Sequence, residues 1–173
     1  MPGVLNLMRA YDSGFVAADA ERDLRRMRRG RMWSRLFDQL RRSSDGSTNL
    51  VPFGDVAAAL GATARHSLGL QAIDLDTIVG SVGRAGDFDA RFRPGPKIDG
   101  RRWESLDRAM RSGQSLPPIT VYRIGRTHYV QDGHHRVSVA RAIGVRTLDA
   151  YVTVVMTATP QECEITDFVI CNA

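Results

Sequence analysis

Asp132-Gly133-His134-His135-Arg136 gathers a carboxylate, two imidazoles and a guanidinium within five residues, on a backbone that includes a glycine. The stretch lies where a β-rich run, Tyr129 to Gln131, gives way to a helical one marked by Val137, Ala140 and Ile143. The first N–H groups of a helix have no internal partner and the helix dipole makes that end partly positive, so anions bind there. Gly133 lets the backbone approach a phosphate closely, and His134, His135 and Arg136 are candidate side-chain donors to it. Asp132 has two readings. It is either a cap accepting from N–H groups one turn into the helix, or a carboxylate that orders Mg²⁺ or deprotonates a hydroxyl, which makes Asp132 and His135 the candidate catalytic pair. The bland reading of both histidines is a hydrogen-bonded, half-buried imidazole; four reactive groups on one loop weigh against it.

Several elements must position that loop. Ile119 to Ile124 and Tyr129 to Gln131, split by Gly125-Arg126-Thr127, predict a hairpin that Leu116-Pro117-Pro118 leads into. Gly144 stops the following helix, and the alternation of Leu148, Ala150, Val152 and Val154 with polar neighbours predicts a half-buried last strand. Trp103, Leu106 and Met110 predict a helix closed at Gly113. Further upstream, Ile73, Leu75 and Ile78 mark short strands, and Gly80, Gly83 and Gly86 break regular structure before a loop bearing Arg84, Asp87, Asp89 and Arg91. Arg84 is either a surface residue or a further phosphate contact. The tally is an α+β fold.

Arginine is concentrated near the start, in Arg22, Arg25, Arg26, Arg28, Arg29, Arg31, Arg35, Arg41 and Arg42, behind an apolar stripe of Trp33, Leu36, Phe37 and Leu40 that Gly30 could interrupt. This segment reads either as the solvated face of a docked helix or as a DNA contact in which Arg25, Arg26, Arg28 and Arg29 neutralise phosphates. Ser43 to Asn49 reads as a linker, and Phe53, Val56, Ala57 and Leu60 as a short helix ending at Gly61. The expected organisation is a helical accessory region at 1–66, a nucleotide-binding domain at 67–157 and a tail at 158–173. Net charge is +5, and 43% of the residues are hydrophobic, enough for a real core. The absence of a run of about 18 apolar residues points away from a membrane and towards the cytoplasm. Cys163 and Cys171 are too few and too close for a disulfide framework and read as free thiols.

From Leu70 to Val155 the order of elements resembles the ParB/sulfiredoxin superfamily. Ile73-Asp74-Leu75-Asp76-Thr77-Ile78 is similar to its opening strand, Trp103 to Gly113 to its helix, Leu116-Pro117-Pro118-Ile119 to its proline-marked strand, and Asp132 to Arg136 to its phosphate motif. The resemblance implies a domain that grips the phosphates of CTP or ATP/ADP with Mg²⁺. Partitioning members carry Gly-Glu-Arg-Arg, matched at Gly133 and Arg136. Sulfiredoxins carry Gly-Cys-His-Arg, and His134 stands at their catalytic cysteine, which speaks against sulfinic-acid reduction. Free-serine kinases carry Asp-Gly-His-Xaa-Arg, matched at Asp132, Gly133, His134 and Arg136. The functions implied are a nucleotide-binding regulator associated with DNA through its basic segment, a small-molecule phosphotransferase and, last, a ParB-like nuclease, for which no metal-binding carboxylate cluster has recognisable spacing.

Overall fold

A computed structural model of the chain describes residues 15–41 and 49–158, without the side chains of 33–41. The expected linker, the apolar stripe at Trp33 to Leu40, the tail beyond residue 158 and both cysteines therefore lie outside the description, wholly or in their side chains. In chain order the elements are α1 (Val16–Arg41), β1 (Val51–Pro52), α2 (Phe53–Ala59), β2 (Ala62–Asp74), β3 (Ile78–Ser81), α3 (Gly100–Arg111), β4 (Ile119–Ile124), β5 (Thr127–Asp132), α4 (His134–Ile143) and β6 (Thr147–Thr157). A 3₁₀ turn, Leu75–Thr77, joins β2 to β3. The strands form one mixed sheet in the order β1-β3-β5-β4-β6-β2, so the fold is α+β.

The β4–β5 hairpin seeds the middle of this sheet. Ile124 pairs with Thr127, so Gly125-Arg126 is the whole turn, and Gly125 supplies its positive φ of 57°. β3 then pairs with β5 in parallel, and β6 pairs in parallel with β4 and antiparallel with β2. Because successive strand residues face opposite sides, β5 is buried on both. Val130 joins Val121 and Val152 beneath Val137 and Ala140 of α4, whereas Tyr129 packs with Ile124 and Val155 beneath Phe53 and Val56 of α2. A second layer covers α4, where Leu24 of α1, Trp103 of α3, Val139 and Ala142 cluster and Trp103 Nε1 donates to Ser138 Oγ at 2.9 Å.

The basic segment is a docked helix. Arg26 donates to Ala142 O at 2.7 Å and Arg28 to Ile98 O at 2.9 Å, Arg25 pairs with Glu21 at 2.6 Å, and Arg29 is exposed. Arg111 of α3 bridges Asp107, at 2.7 Å, and Asp23 of α1, while burial pushes the Asp107 carboxyl above its usual range. Among the described residues no helix is long and apolar enough to cross a membrane.

Three expectations are corrected by tertiary contacts. Gly30 does not interrupt α1; a Cβ there would meet Arg93 Nη1 at 2.8 Å, so the bare glycine admits a side chain from another part of the chain. Of the short strands expected from Leu70, Ile78 does open one, β3, but Leu75 lies in the 3₁₀ turn and Ile73 ends a 13-residue strand, β2, which starts in the expected accessory region and is held by β6 along its length, with register shifts at Ala62/Ala64 and Ser67/Gly69. The boundary expected at residue 66 thus falls inside a strand, and α1 packs on α3 and α4.

Two outcomes follow for stability. A Cβ on Gly80 would run into Val51 O and come within 2.5 Å of Tyr129 Cδ1, so Gly80→Ala should lower unfolding free energy by about 1–3 kcal/mol in urea titrations. His128, whose Nδ1 lies 2.8 Å from Thr77 Oγ1, has its pKa lowered from 6.5 to about 4 by burial and then by the Arg123 charge. The unfolded chain therefore takes up this proton first, and stability should be lost as pH falls from about 6.5 to about 4. His128→Asn should make that part of the stability profile shallower without abolishing it, because His134 is lowered to about 4 as well; an unchanged slope would rule His128 out as one of its sources.

Candidate functional site

The parallel strands β3 and β5 end side by side, with Ser81 paired to Val130. From β3 the chain enters an irregular loop, residues 82–99, and from β5 it enters α4 through Gly133. That residue has φ 98°, a left-handed conformation that glycine alone adopts readily, and a Cβ would overlap Ile119 Cγ2 and lie 2.9 Å from Ile119 Cβ. Val137 is the first residue to reach back, donating to Gly133 O at 3.0 Å. The N–H groups of His134, His135 and Arg136 stand ahead of that first helical bond, as the opening donors of a helix do.

Asp132 does not cap this helix. Gly133 occupies the cap position without a side-chain bond, and Asp132 Oδ2 accepts from Arg136 Nη2 at 2.6 Å. Its side chain is 74% exposed, so the carboxylate stands at the mouth of the loop. Arg136 also holds the frame together: Nη1 donates to Pro118 O at 2.7 Å and to Pro117 O, strapping α4 to the segment that enters β4.

The two histidines have different surroundings. His134 Nε2 lies 2.7 Å from Ser81 Oγ, which also accepts from Arg84 N at 2.9 Å, so this ring is a strut between the end of β3 and the start of α4. It stacks on Phe88 with centroids 5.9 Å apart, and burial followed by the positive charge of Arg84 lowers its pKa to about 4, leaving it neutral. His135 is only 8% exposed, its ring meets the Phe88 edge at 5.8 Å, and neither ring nitrogen has a hydrogen-bond partner among the described residues. Burial, Arg102 and Arg84 lower its pKa, so it too is a neutral imidazole with one donor and one acceptor unspent. Leaving such a buried group unpaired costs about 1–3 kcal/mol, which a polar ligand or ordered water would recover.

Arg84 is exposed and paired with Asp87 at 2.8 Å, and Arg102 lies exposed in the first turn of α3, which Asp99 caps by accepting from Arg101 N at 3.0 Å. Asp89 is buried and organises the loop by accepting from Arg91 N, Arg93 N and Arg93 Nε at 2.7–3.0 Å. Of the residues singled out in the sequence, the fold gathers Gly133, His135, Arg84 and Asp132 at the helix start and directs His134 and Arg136 into its frame. Arg25, Arg26, Arg28 and Arg29 belong to α1, where two of the four are engaged with backbone carbonyls. Sequence reasoning passed over Ser81, Phe88 and Arg102; only the four-residue spacing of Phe88 and Phe92 within a polar loop could have signalled any of them.

Such a site can hold a phosphate-bearing anion: it combines open N–H groups, a neutral imidazole and two flanking guanidinium groups. Among the described residues no three His, Cys, Asp or Glu side chains group as a metal site. Mg²⁺ arriving on a nucleotide would keep its phosphate and water ligands, with Asp132 the exposed carboxylate able to join them.

No protein-family model and no curated protein matches the chain. Among solved structures the chain is similar to sulfiredoxin from Arabidopsis thaliana, at 19% identity and a TM-score of 0.38, over 48% of this chain and 82% of that one. The α+β class itself rests on the six-stranded mixed sheet and the helices that cover it.

Proposed function

We propose that the start of α4 binds the phosphate groups of a nucleotide, ATP/ADP or CTP, together with Mg²⁺. The observation that carries this reading is His135, buried with both ring nitrogens unpartnered beside the opening N–H groups of the helix. In this reading those N–H groups and the His135 ring donate to phosphate oxygens, and Arg84 and Arg102 supply positive potential from the loop and from α3. His134 and Arg136 keep the helix start in place through Ser81, Pro117 and Pro118.

Thermal-shift titration with ATP, ADP, CTP and GTP, with and without Mg²⁺, tests the central claim, because a ligand of the folded state raises stability by mass action. At least one nucleotide should raise the melting temperature, whereas flat curves with all four would overturn the reading. His135→Ala should weaken binding of the responding nucleotide about tenfold, the usual scale of one hydrogen bond to a charged group.

A phosphotransferase reading is favoured by one specific feature. Arg136 fixes Oδ2 of Asp132 while the side chain stays open to solvent, a fitting arrangement for a base that activates an acceptor hydroxyl. Asp132→Asn should then leave nucleotide affinity within about threefold and lower transfer at least a hundredfold, the usual range for losing a general base. Binding without turnover by the unaltered protein, across an acceptor panel of serine, sugars and nucleosides, would dismiss this version and leave the binding role.

A further inference from the structure

The loop at 82–99 is held from α1 by a buried arginine. Arg31 is 4% exposed; its Nη1 donates to Asp87 O at 2.6 Å and Arg93 O at 3.1 Å, and its Nη2 to Gly86 O at 3.1 Å. Arg28, one turn earlier, holds Ile98 O at the far end of the loop. The fit depends on missing side chains. A Cβ on Gly95 would meet both partners of one of these bonds, Arg31 Nη1 and Asp87 O, at 2.8 Å, one on Gly30 would meet Arg93 Nη1 at 2.8 Å, and one on Gly100 would come within 3.2 Å of Leu24 Cδ2.

The peptides that Arg31 grips are next to the groups that face the α4 site. The Asp87 carboxylate pairs with Arg84, and Phe88 packs against both imidazoles. Within the loop a single antiparallel bridge, Phe88 with Pro94, gives Asp87 O and Arg93 O one backbone donor each, from Gly95 and Asp89, and Arg31 adds a second donor to both; a planar guanidinium can serve several carbonyls at once in a way that an ammonium cannot.

We propose that Arg31 is a positioning residue for the anion site: by tying Gly86, Asp87 and Arg93 to α1 it fixes Arg84 and Phe88 against His134 and His135, so the seating of α1 sets ligand affinity at α4. The identity of the ligand rests on the nucleotide reading above; the coupling of Arg31 to the imidazoles does not.

The test uses the full chain carrying Arg31→Met or Arg31→Lys, with Gly95→Ala as a variant that keeps the charge and fills the space beside Nη1. In the ligand-free protein, the ¹⁵N resonances of the His134 and His135 rings should move in Arg31→Met and Gly95→Ala, and amides at 84–95 should exchange faster. His128, bound to Thr77, should stay in place. Affinity for the Mg²⁺ complex of ATP or CTP should fall by roughly five- to a hundredfold, the common range of coupling between sites, with Arg31→Lys intermediate. Folded variants that keep wild-type imidazole resonances and wild-type affinity overturn the inference. Imidazoles that respond in a protein whose wild type binds no nucleotide would instead overturn the ligand assignment and leave the coupling standing.

Discussion

The left-handed turn at Gly133 is the constraint on which the rest of this structure depends. β5 lies inside the sheet with His128, Tyr129 and Val130 all buried, and it must hand over to a core-packed helix within one residue. At φ 98°, with Ile119 against the place where a Cβ would be, glycine is the residue that fits. The turn sets the start of α4 at the ends of β3 and β5, which brings His134 to Ser81, sends Arg136 back to Pro117 and Pro118, and leaves His135 facing the loop and α3.

Part of the positive charge of the chain ties segments of the fold to one another. Arg26, Arg28, Arg31, Arg136 and Arg141 each donate to backbone carbonyls far away in sequence, at the end of α4, in the loop at 82–99, before β4 and around the 3₁₀ turn. These carbonyls lie at a helix end, in a loop and in turns rather than inside the sheet, and a guanidinium with five donors in a fixed fork suits them. Three arginines of the basic helix α1, Arg26, Arg28 and Arg31, thus serve as framework, while Arg84 and Arg102 are exposed cations near the start of α4.

Elements governed by neighbouring residues were legible in advance. The hairpin turn at Gly125, one residue shorter than expected because Thr127 already belongs to β5, the helix closing at Gly113, the helix stopped by Gly144 and the short helix before Gly61 appear where glycine conformation and apolar spacing put them. β2 was not legible, because its long run is stabilised by pairing with β6 some 80 residues later in the chain, and its own pattern includes exposed Leu70 and a shift at Gly69. Neither was the course of α1 through Gly30, where the deciding neighbour, Arg93, comes from a loop with no periodicity.

For the site, the residue types in Asp132 to Arg136 and their place between a strand and a helix were determined by the sequence alone, since hydrophobic period and glycine mark that junction locally. Which of those groups remain open was decided by tertiary structure. Adjacent residues of a helix point about 100° apart, so His134 and His135 enter different surroundings. Ser81 from another strand satisfies the first, while the second is buried against Phe88 with its ring nitrogens unspent.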